Sequence, residues 1–326
     1  MRRLAVIHET QYRYGAMVEH AHHWVRLRPI QDATQQIRSF ALAIDPMPRY
    51  RSERRDAHGV AEVRFEMDSP HRELLIRSRT LIDMAGDDPL QAGSVSRAAL
   101  WSGCSPNPIA DRPWEDAARL LNFTAGAPWQ PAATQVCSSA LAFSHPALRE
   151  WAAQTFTPGR PLREGAWELM HRVHTKIQYV PAATDVNTTA LEAMTLGRGV
   201  CQDLAHVMIA ALRSLGLAAR YVSGYLLTQP PPGKPRLIGA DASHAWVSVW
   251  CPEAGWFELD PTNNRAPGDD YVTLARGRDY GDIAPVRGVI RGGGAHTLAV
   301  RVTVTDLDEE NSESLSALAV AGAGAR

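Results

Sequence analysis

The sequence predicts an α+β protein, with an antiparallel β region first and a mixed helix-and-sheet core after it. Three observations carry this expectation. Short-period alternation dominates the opening stretch. Helical spacing sets in only after about residue 145. The most regular helix is followed by three short strand candidates.

The first region covers residues 1–95 and is expected to be an antiparallel β domain. Residues 60–67 alternate, with Val63 and Phe65 on one side and Arg64 and Glu66 on the other. Residues 37–45 and 73–84 have the same short-period character, and 22–28 also fit a strand. Asp45-Pro46-Met47-Pro48, His58-Gly59 and Ser69-Pro70 supply turn signals between them. Residues 96–144 form a linker and helical connection. Stretches rich in Gly, Ser, Asp and Pro flank a short helix predicted at about 113–121.

The core is expected over 145–285. Pro146 opens a helix over 147–156, and Pro161 opens another over 162–177, where Leu162, Ala166, Leu169, Val173 and Ile177 recur at helical spacing. The strongest helix begins at Cys201. Leu204, Met208, Ala211, Leu212 and Leu215 share one face, and Gly216 stops it. Strands are predicted at 219–227, 244–250 and 256–260, the last two joined by the turn Cys251-Pro252-Glu253-Ala254-Gly255. Residues 296–305 alternate cleanly, so one more strand is expected within the C-terminal region 286–307. The tail 308–326 is acidic, then Ala/Gly-rich, and is expected to be disordered.

Composition narrows the functional classes. The chain is 45% hydrophobic and 21% charged with a formal net charge of −1, as in an ordinary globular protein. No basic stripe with interleaved aromatics is present, so nucleic acid is not an expected partner. No apolar window approaches the ~18 residues of a membrane helix. The run Leu4 to Ile7 is too short for a secretory h-region, so the expected compartment is the cytoplasm. Cys104, Cys137, Cys201 and Cys251 show no CxxC spacing, which disfavours a zinc knuckle and makes free thiols the default. No cofactor or metal is expected.

Cys201, His244 and Asp260 form the candidate chemistry. A cysteine heads a helix, a histidine starts a strand, and an aspartate ends the next one. The hairpin turn brings His244 and Asp260 to the same end of the ribbon. A helix N-terminus favours a thiolate. An imidazole can take the thiol proton and return it to a leaving amine. A carboxylate fixes the imidazole tautomer. Each residue alone has an ordinary reading, as a buried thiol, a structural histidine and an Asp-Pro turn. Their order and placement favour the joint one.

The same residues carry a resemblance. The run Gly197-Arg198-Gly199-Val200-Cys201-Gln202-Asp203-Leu204-Ala205 resembles the catalytic segment of the transglutaminase-like superfamily. Residues 212–225, Ser243-His244-Ala245-Trp246-Val247 and Trp256-Phe257-Glu258-Leu259-Asp260-Pro261-Thr262 resemble its continuation and its histidine and aspartate segments. His8, Thr10, Tyr12 and Tyr14, with Arg26-Leu27-Arg28-Pro29, resemble the β region that precedes this core in a bacterial subfamily. The resemblance implies a papain-like core, with the catalytic helix against an antiparallel sheet, and a Cys201–His244–Asp260 triad.

It also implies a thioester enzyme acting on a peptide or protein substrate, with amide or peptide hydrolysis favoured. The alternatives are amine transfer that cross-links proteins, and a non-catalytic binding module. Acyl transfer between small molecules fits the flanking motifs poorly. Gln202, Asp203 and Trp246 are possible supporting residues. Gln202 could polarise an oxyanion, Asp203 matches the family's C-x-D pattern in the first helical turn, and Trp246 could wall the site. For Gln202 a solvated side chain, for Asp203 a structural role and for Trp246 core packing are the competing readings. His206 reads as structural, and Asp241 is the alternative orienter.

Overall fold

The computed structural model describes residues 2–56, 59–85, 112–228 and 243–307. The first layer is an antiparallel sheet built around one very long strand, β1 (Arg2–Val25). Strands β2 (Gln35–Asp45), β3 (Tyr50–Arg55), β4 (Ala61–Met67) and β5 (His71–Met84) follow in the chain. Their spatial order is β2-β5-β1-β4-β3. Alternation explains the packing. In β4, Val63, Phe65 and Met67 turn inward, and Leu74, Ile76 and Ile82 of β5 are buried with them.

The connecting segment contributes α1 (Trp114–Leu121). Two helices follow, α2 (Pro146–Ala153) and α3 (Leu162–Lys176). Pro146 occupies the first helical turn of α2, where its missing N–H costs nothing, and His145 Nδ1 accepts the Ala147 N–H at 3.2 Å. The two-residue strand β6 (Gln178–Tyr179) precedes helix α4 (Ala190–Leu196), whose Thr189 and Glu192 form a reciprocal capping box. Gly197 ends α4 with φ 66°, a left-handed conformation that suits glycine. The short strand β7 (Arg198–Gly199) pairs parallel with β6 and leads into helix α5 (Cys201–Ser214).

Helix α5 is the centre of the second core. Every residue from Asp203 to Ser214 is buried. It packs on a four-stranded antiparallel sheet of β8 (Ala219–Leu226), β9 (Ser243–Cys251), β10 (Gly255–Leu259) and β11 (Tyr271–Gly277), in the order β10-β9-β8-β11. Leu204, Met208, Leu212 and Leu215 join Val247, Val249 and Leu259 in one apolar cluster. Each such side chain contributes roughly 1.5–3 kcal/mol by leaving water. This is the α+β, papain-like arrangement expected, a helix against an antiparallel sheet.

The chain then returns to the first layer. After the short helix α6 (Tyr280–Ile283), strands β12 (Val286–Gly292) and β13 (His296–Asp306) both pair with β1. The strand expected at 296–305 therefore does not stand apart. It runs along β1 from Leu4 to Tyr14, while β12 pairs with the far end of β1. The expected strand at 22–28 is the last part of β1, which stops at Val25. Arg26 instead donates its N–H to the Pro285 carbonyl. Residues 86–111 of the expected connection and the tail 308–326 lie outside the described residues. Among the described residues, no helix is long and apolar enough to cross a membrane.

Candidate active site

Cys201 is set by the way α5 begins. Val200 is extended, with φ −112° and ψ −178°, and the helix starts at the next residue. The Asp203 carboxylate folds back and accepts the Val200 N–H at 2.7 Å and the Thr184 hydroxyl at 2.6 Å. Gly199 makes this possible, because a Cβ there would stand 2.7 Å from the Asp203 Cβ. Asp203 is buried, and that burial raises its pKa above the usual carboxylate value despite both hydrogen bonds. Its place is structural: it ties the approach strand to the first turn and does not line the cavity beside the thiol.

His244 lies at the start of β9, directly across from Gly224 of β8. Only glycine fits at 224, since a Cβ would meet the Val272 carbonyl oxygen at 2.0 Å and the Trp246 ring at 2.5 Å. His244 Nε2 lies 2.7 Å from Asp260 Oδ2. That leaves Nδ1 as the ring nitrogen for the hydrogen bond between His244 and Cys201. Burial opposes a charged ring. The hydrogen bonds to Asp260 and Cys201, with the charges behind them, outweigh it and push the His244 pKa up to about 10.

Asp260 ends β10 and is fully buried. Its Oδ2 also accepts from Tyr271 Oη and from Asn263 Nδ2, each at 2.7 Å. Its Oδ1 accepts the backbone N–H groups of Thr262 at 2.8 Å and Asn263 at 3.2 Å. Burial works to raise its pKa, yet these donors hold the carboxyl below its usual value. Trp246 sits behind His244, fully buried, with ring centroids 6.0 Å apart and its Nε1 donating to Glu258 Oε2 at 2.8 Å. It packs in the core and does not face the cavity.

Cys201, Gln202 and His244 open onto a cavity of about 260 Å³. Gln202 stands at its rim and donates to the Val186 carbonyl at 3.2 Å. The far side of the cavity comes from the first layer: His8 and Thr10 of β1, Val286 of β12, and Leu298 and Val300 of β13. His206 is buried on α5, accepts the Tyr280 N–H at 3.1 Å and does not line the cavity. Asp241 lies outside the described residues. Among the described residues, no group of three or more His, Cys, Asp or Glu side chains converges as metal ligands would.

The structure thus brings Cys201, His244 and Asp260 together. Sequence reasoning missed Tyr271, Asn263 and the contribution of the first sheet to the cavity. Asn263 lies three residues past Asp260 and could have been found as a side chain folding back over an Asp-Pro turn. Tyr271 had a weaker signal, the alternating Tyr271-Val272-Thr273-Leu274 after an acidic turn.

Comparison with known proteins fits this arrangement. Residues 149–261 match the family described as the transglutaminase-like superfamily, and residues 4–83 match the bacterial transglutaminase-like N-terminal region. An uncharacterized protein of Mycobacterium tuberculosis is 39% identical over 292 residues, covering 88% of this chain and 87% of that protein. A protein-glutamine gamma-glutamyltransferase of Pseudomonas aeruginosa is 41% identical over 70 residues, which is 21% of this chain and 10% of that enzyme. A candidate cysteine protease from Cytophaga hutchinsonii has the same fold, with TM-score 0.70 and 17% identity over 95% of this chain and 92% of that one.

Proposed function

The chain belongs to the transglutaminase-like superfamily, and on that premise we propose that it hydrolyses amide or peptide bonds in a peptide or protein through a thioester on Cys201. The observation that carries this reading is the partly buried 2.7 Å contact between His244 Nε2 and Asp260 Oδ2, on the ring whose other nitrogen faces Cys201. A base needs a fixed tautomer and an orienter, and His244 has both.

The chemistry follows from the geometry. Cys201 Sγ attacks the carbonyl carbon as its proton resides on His244 Nδ1. The first-turn N–H groups of α5 are the donors beside the oxyanion that forms. The C–N bond breaks, His244 gives its proton to the departing amine, and an acyl thioester remains. Water then attacks with His244 as base, releasing the acid and restoring the thiol. Asp260 supports the imidazolium throughout. A reducing compartment such as the cytoplasm suits this chemistry, and Cys137, Cys201 and Cys251 are free thiols.

Amine transfer is the second reading, favoured by the local 41% identity to the Pseudomonas transferase. The two share every step up to the thioester. The test is mass spectrometry of a peptide-library digest with and without millimolar methylamine. Acid products that persist in the amine support hydrolysis. Methylamide products in excess would make the protein a transferase. No Cys201-dependent product in either condition would overturn both.

A further inference from the structure

The wall of the cavity opposite Cys201 has a chemistry of its own. Among the described residues, no Asp, Glu, Lys or Arg lines it. Leu298, Val300 and Val286 make it apolar, and Thr10 and Tyr12 add hydroxyls. Thr10 belongs to a buried relay. Tyr225 Oη lies 3.1 Å from His8 Nδ1, and His8 Nε2 lies 2.9 Å from Thr10 Oγ1. All three side chains are nearly inaccessible.

The direction of this relay can be worked out. Among the described residues, His8 is the one hydrogen-bond partner of the Tyr225 hydroxyl. A buried phenol must donate, so its proton goes to His8 Nδ1. Burial lowers the His8 pKa to about 4, so the ring is neutral and carries one proton. With Nδ1 accepting, that proton sits on Nε2 and is donated to Thr10 Oγ1. The Thr10 oxygen is occupied as an acceptor there, and its own proton remains to be donated toward the cavity it lines.

We propose that this wall is the subsite for the acyl group, and that it takes an uncharged group with an apolar body and one acceptor oxygen read by Thr10. The inference rests on the thioester reading above and adds the substrate class to it. A charged acyl group entering this wall would lose its hydration without a counter-charge among the residues described. An apolar group gains by burial, and an acceptor oxygen at the right depth gains the Thr10 hydrogen bond as well. The first sheet then has a role in the reaction: it selects what the thiol attacks.

The test uses the full chain and N-acetyl aminoacyl fluoromethyl ketones of Asn, Leu, Asp and Lys. Each alkylates a reactive thiol with loss of fluoride, and intact mass reads the rate at Cys201. The Asn and Leu ketones should react about tenfold faster than the Asp and Lys ketones. Thr10→Val should lower the Asn-to-Leu rate ratio about tenfold, the worth of one hydrogen bond. Tyr225→Phe should lower the same ratio, because it frees His8 to reverse the relay without touching the cavity. A merely structural role would slow all four ketones together. Fastest reaction with Asp or Lys, or an Asn-to-Leu ratio unmoved by both variants, would overturn the subsite. Iodoacetamide carries no acyl side chain and reads the nucleophile alone. If it alkylated Cys201 no faster in the wild type than in His244→Ala, the thioester reading would fall and the subsite with it. Normal iodoacetamide reactivity with no order among the ketones removes the subsite only.

Discussion

Tyr271 Oη donates to Asp260 Oδ2 at 2.7 Å, and the same oxygen holds His244 Nε2 at 2.7 Å. One carboxylate oxygen thus serves the phenol behind it and the imidazole in front of it. The Tyr271 ring also touches the site, with its centroid 5.9 Å from His244 and 5.3 Å edge-on from Trp246. Burial and the adjacent carboxylate both raise the Tyr271 pKa, so it stays a donor.

Tyr271→Phe keeps the ring and removes that donor, together with the longer 3.4 Å contact from Asn263 Nδ2 to the phenol oxygen. Asp260 is fully buried, so the lost hydrogen bond is one to a charged group and should cost about 2 kcal/mol of stability. Alkylation of Cys201 by iodoacetamide should slow about tenfold and no more, because Asn263 and the backbone still hold the carboxylate. Urea denaturation beside iodoacetamide kinetics measures both. Unchanged stability would mean that the phenol does not support Asp260.

The pH dependence of folding tests the His244–Asp260 pair. The folded pKa of His244 is about 10, above its unfolded value of 6.5. Its contribution is therefore fully present below about pH 6.5 and is lost as pH rises through about 10. Asp260 is shifted the other way, so its contribution is present above its unfolded value of 3.8 and is lost as pH falls through its lower folded value. Asp260→Asn removes the carboxylate's own shift and the larger part of what raises His244, leaving the part that comes from Cys201. The stability difference between wild type and Asp260→Asn should be widest between about pH 5 and 7 and narrow toward pH 10. Denaturation midpoints across that range read it. A difference that does not vary with pH would show that the two groups are not charged together in the folded protein.

Gly224→Ala tests how His244 is held. The new methyl would overlap the Val272 carbonyl and the Trp246 ring, both belonging to packed elements that cannot yield cheaply. The cost should be roughly 3 kcal/mol. His244 is the cross-strand partner of Gly224, so alkylation of Cys201 should slow as well. Normal alkylation in a folded Gly224→Ala protein would mean that β8 does not set the histidine.

What the sequence made legible was local. Helix α5 was readable because its apolar residues keep helical spacing, and the His244–Asp260 relationship because a hairpin turn separates them by 16 residues. The strands at 61–67 and 71–84 were readable from alternation alone. The contacts that complete the site are of another kind. His8 and Tyr225 are 217 residues apart, and β13 reaches β1 from the opposite end of the chain. Neither alternation nor helical period says which strand a given strand will pair with. The full length of β1 escaped for a related reason. Its Tyr14 to Val18 segment, where the β5 register shifts, breaks the alternation that would have announced one continuous strand.

Asp203 contrasts with the carboxylate that holds His244. It stands two residues from Cys201 and at 1% exposure is as buried as Asp260, yet its pKa is shifted upward, whereas that of Asp260 is shifted downward. The difference lies in the partners. Asp260 has a histidine, a phenol, an amide and two backbone donors. Asp203 Oδ2 has the Val200 N–H and the Thr184 hydroxyl, and its Oδ1 is buried with no hydrogen-bond partner among the described residues. A group poorly compensated for its charge should tolerate neutralisation. Asp203→Asn can present its carbonyl oxygen to the same two donors, so its stability should lie within about 1 kcal/mol of the wild type. Asp203→Ala removes both bonds and leaves the Val200 N–H without its acceptor, which should cost about 2 kcal/mol. The first turn of α5 would then loosen, and Cys201 alkylation should slow in the alanine variant more than in the asparagine one. The raised pKa also fixes a sign: the wild type should lose stability relative to Asp203→Asn as pH rises above about 4, since the folded form holds its proton more tightly than the unfolded chain. Denaturation of the three proteins across pH, with alkylation rates measured on the same samples, tests the whole argument. An asparagine variant as impaired as the alanine one would show that the charge at 203 is needed, and would move Asp203 from the scaffold into the chemistry.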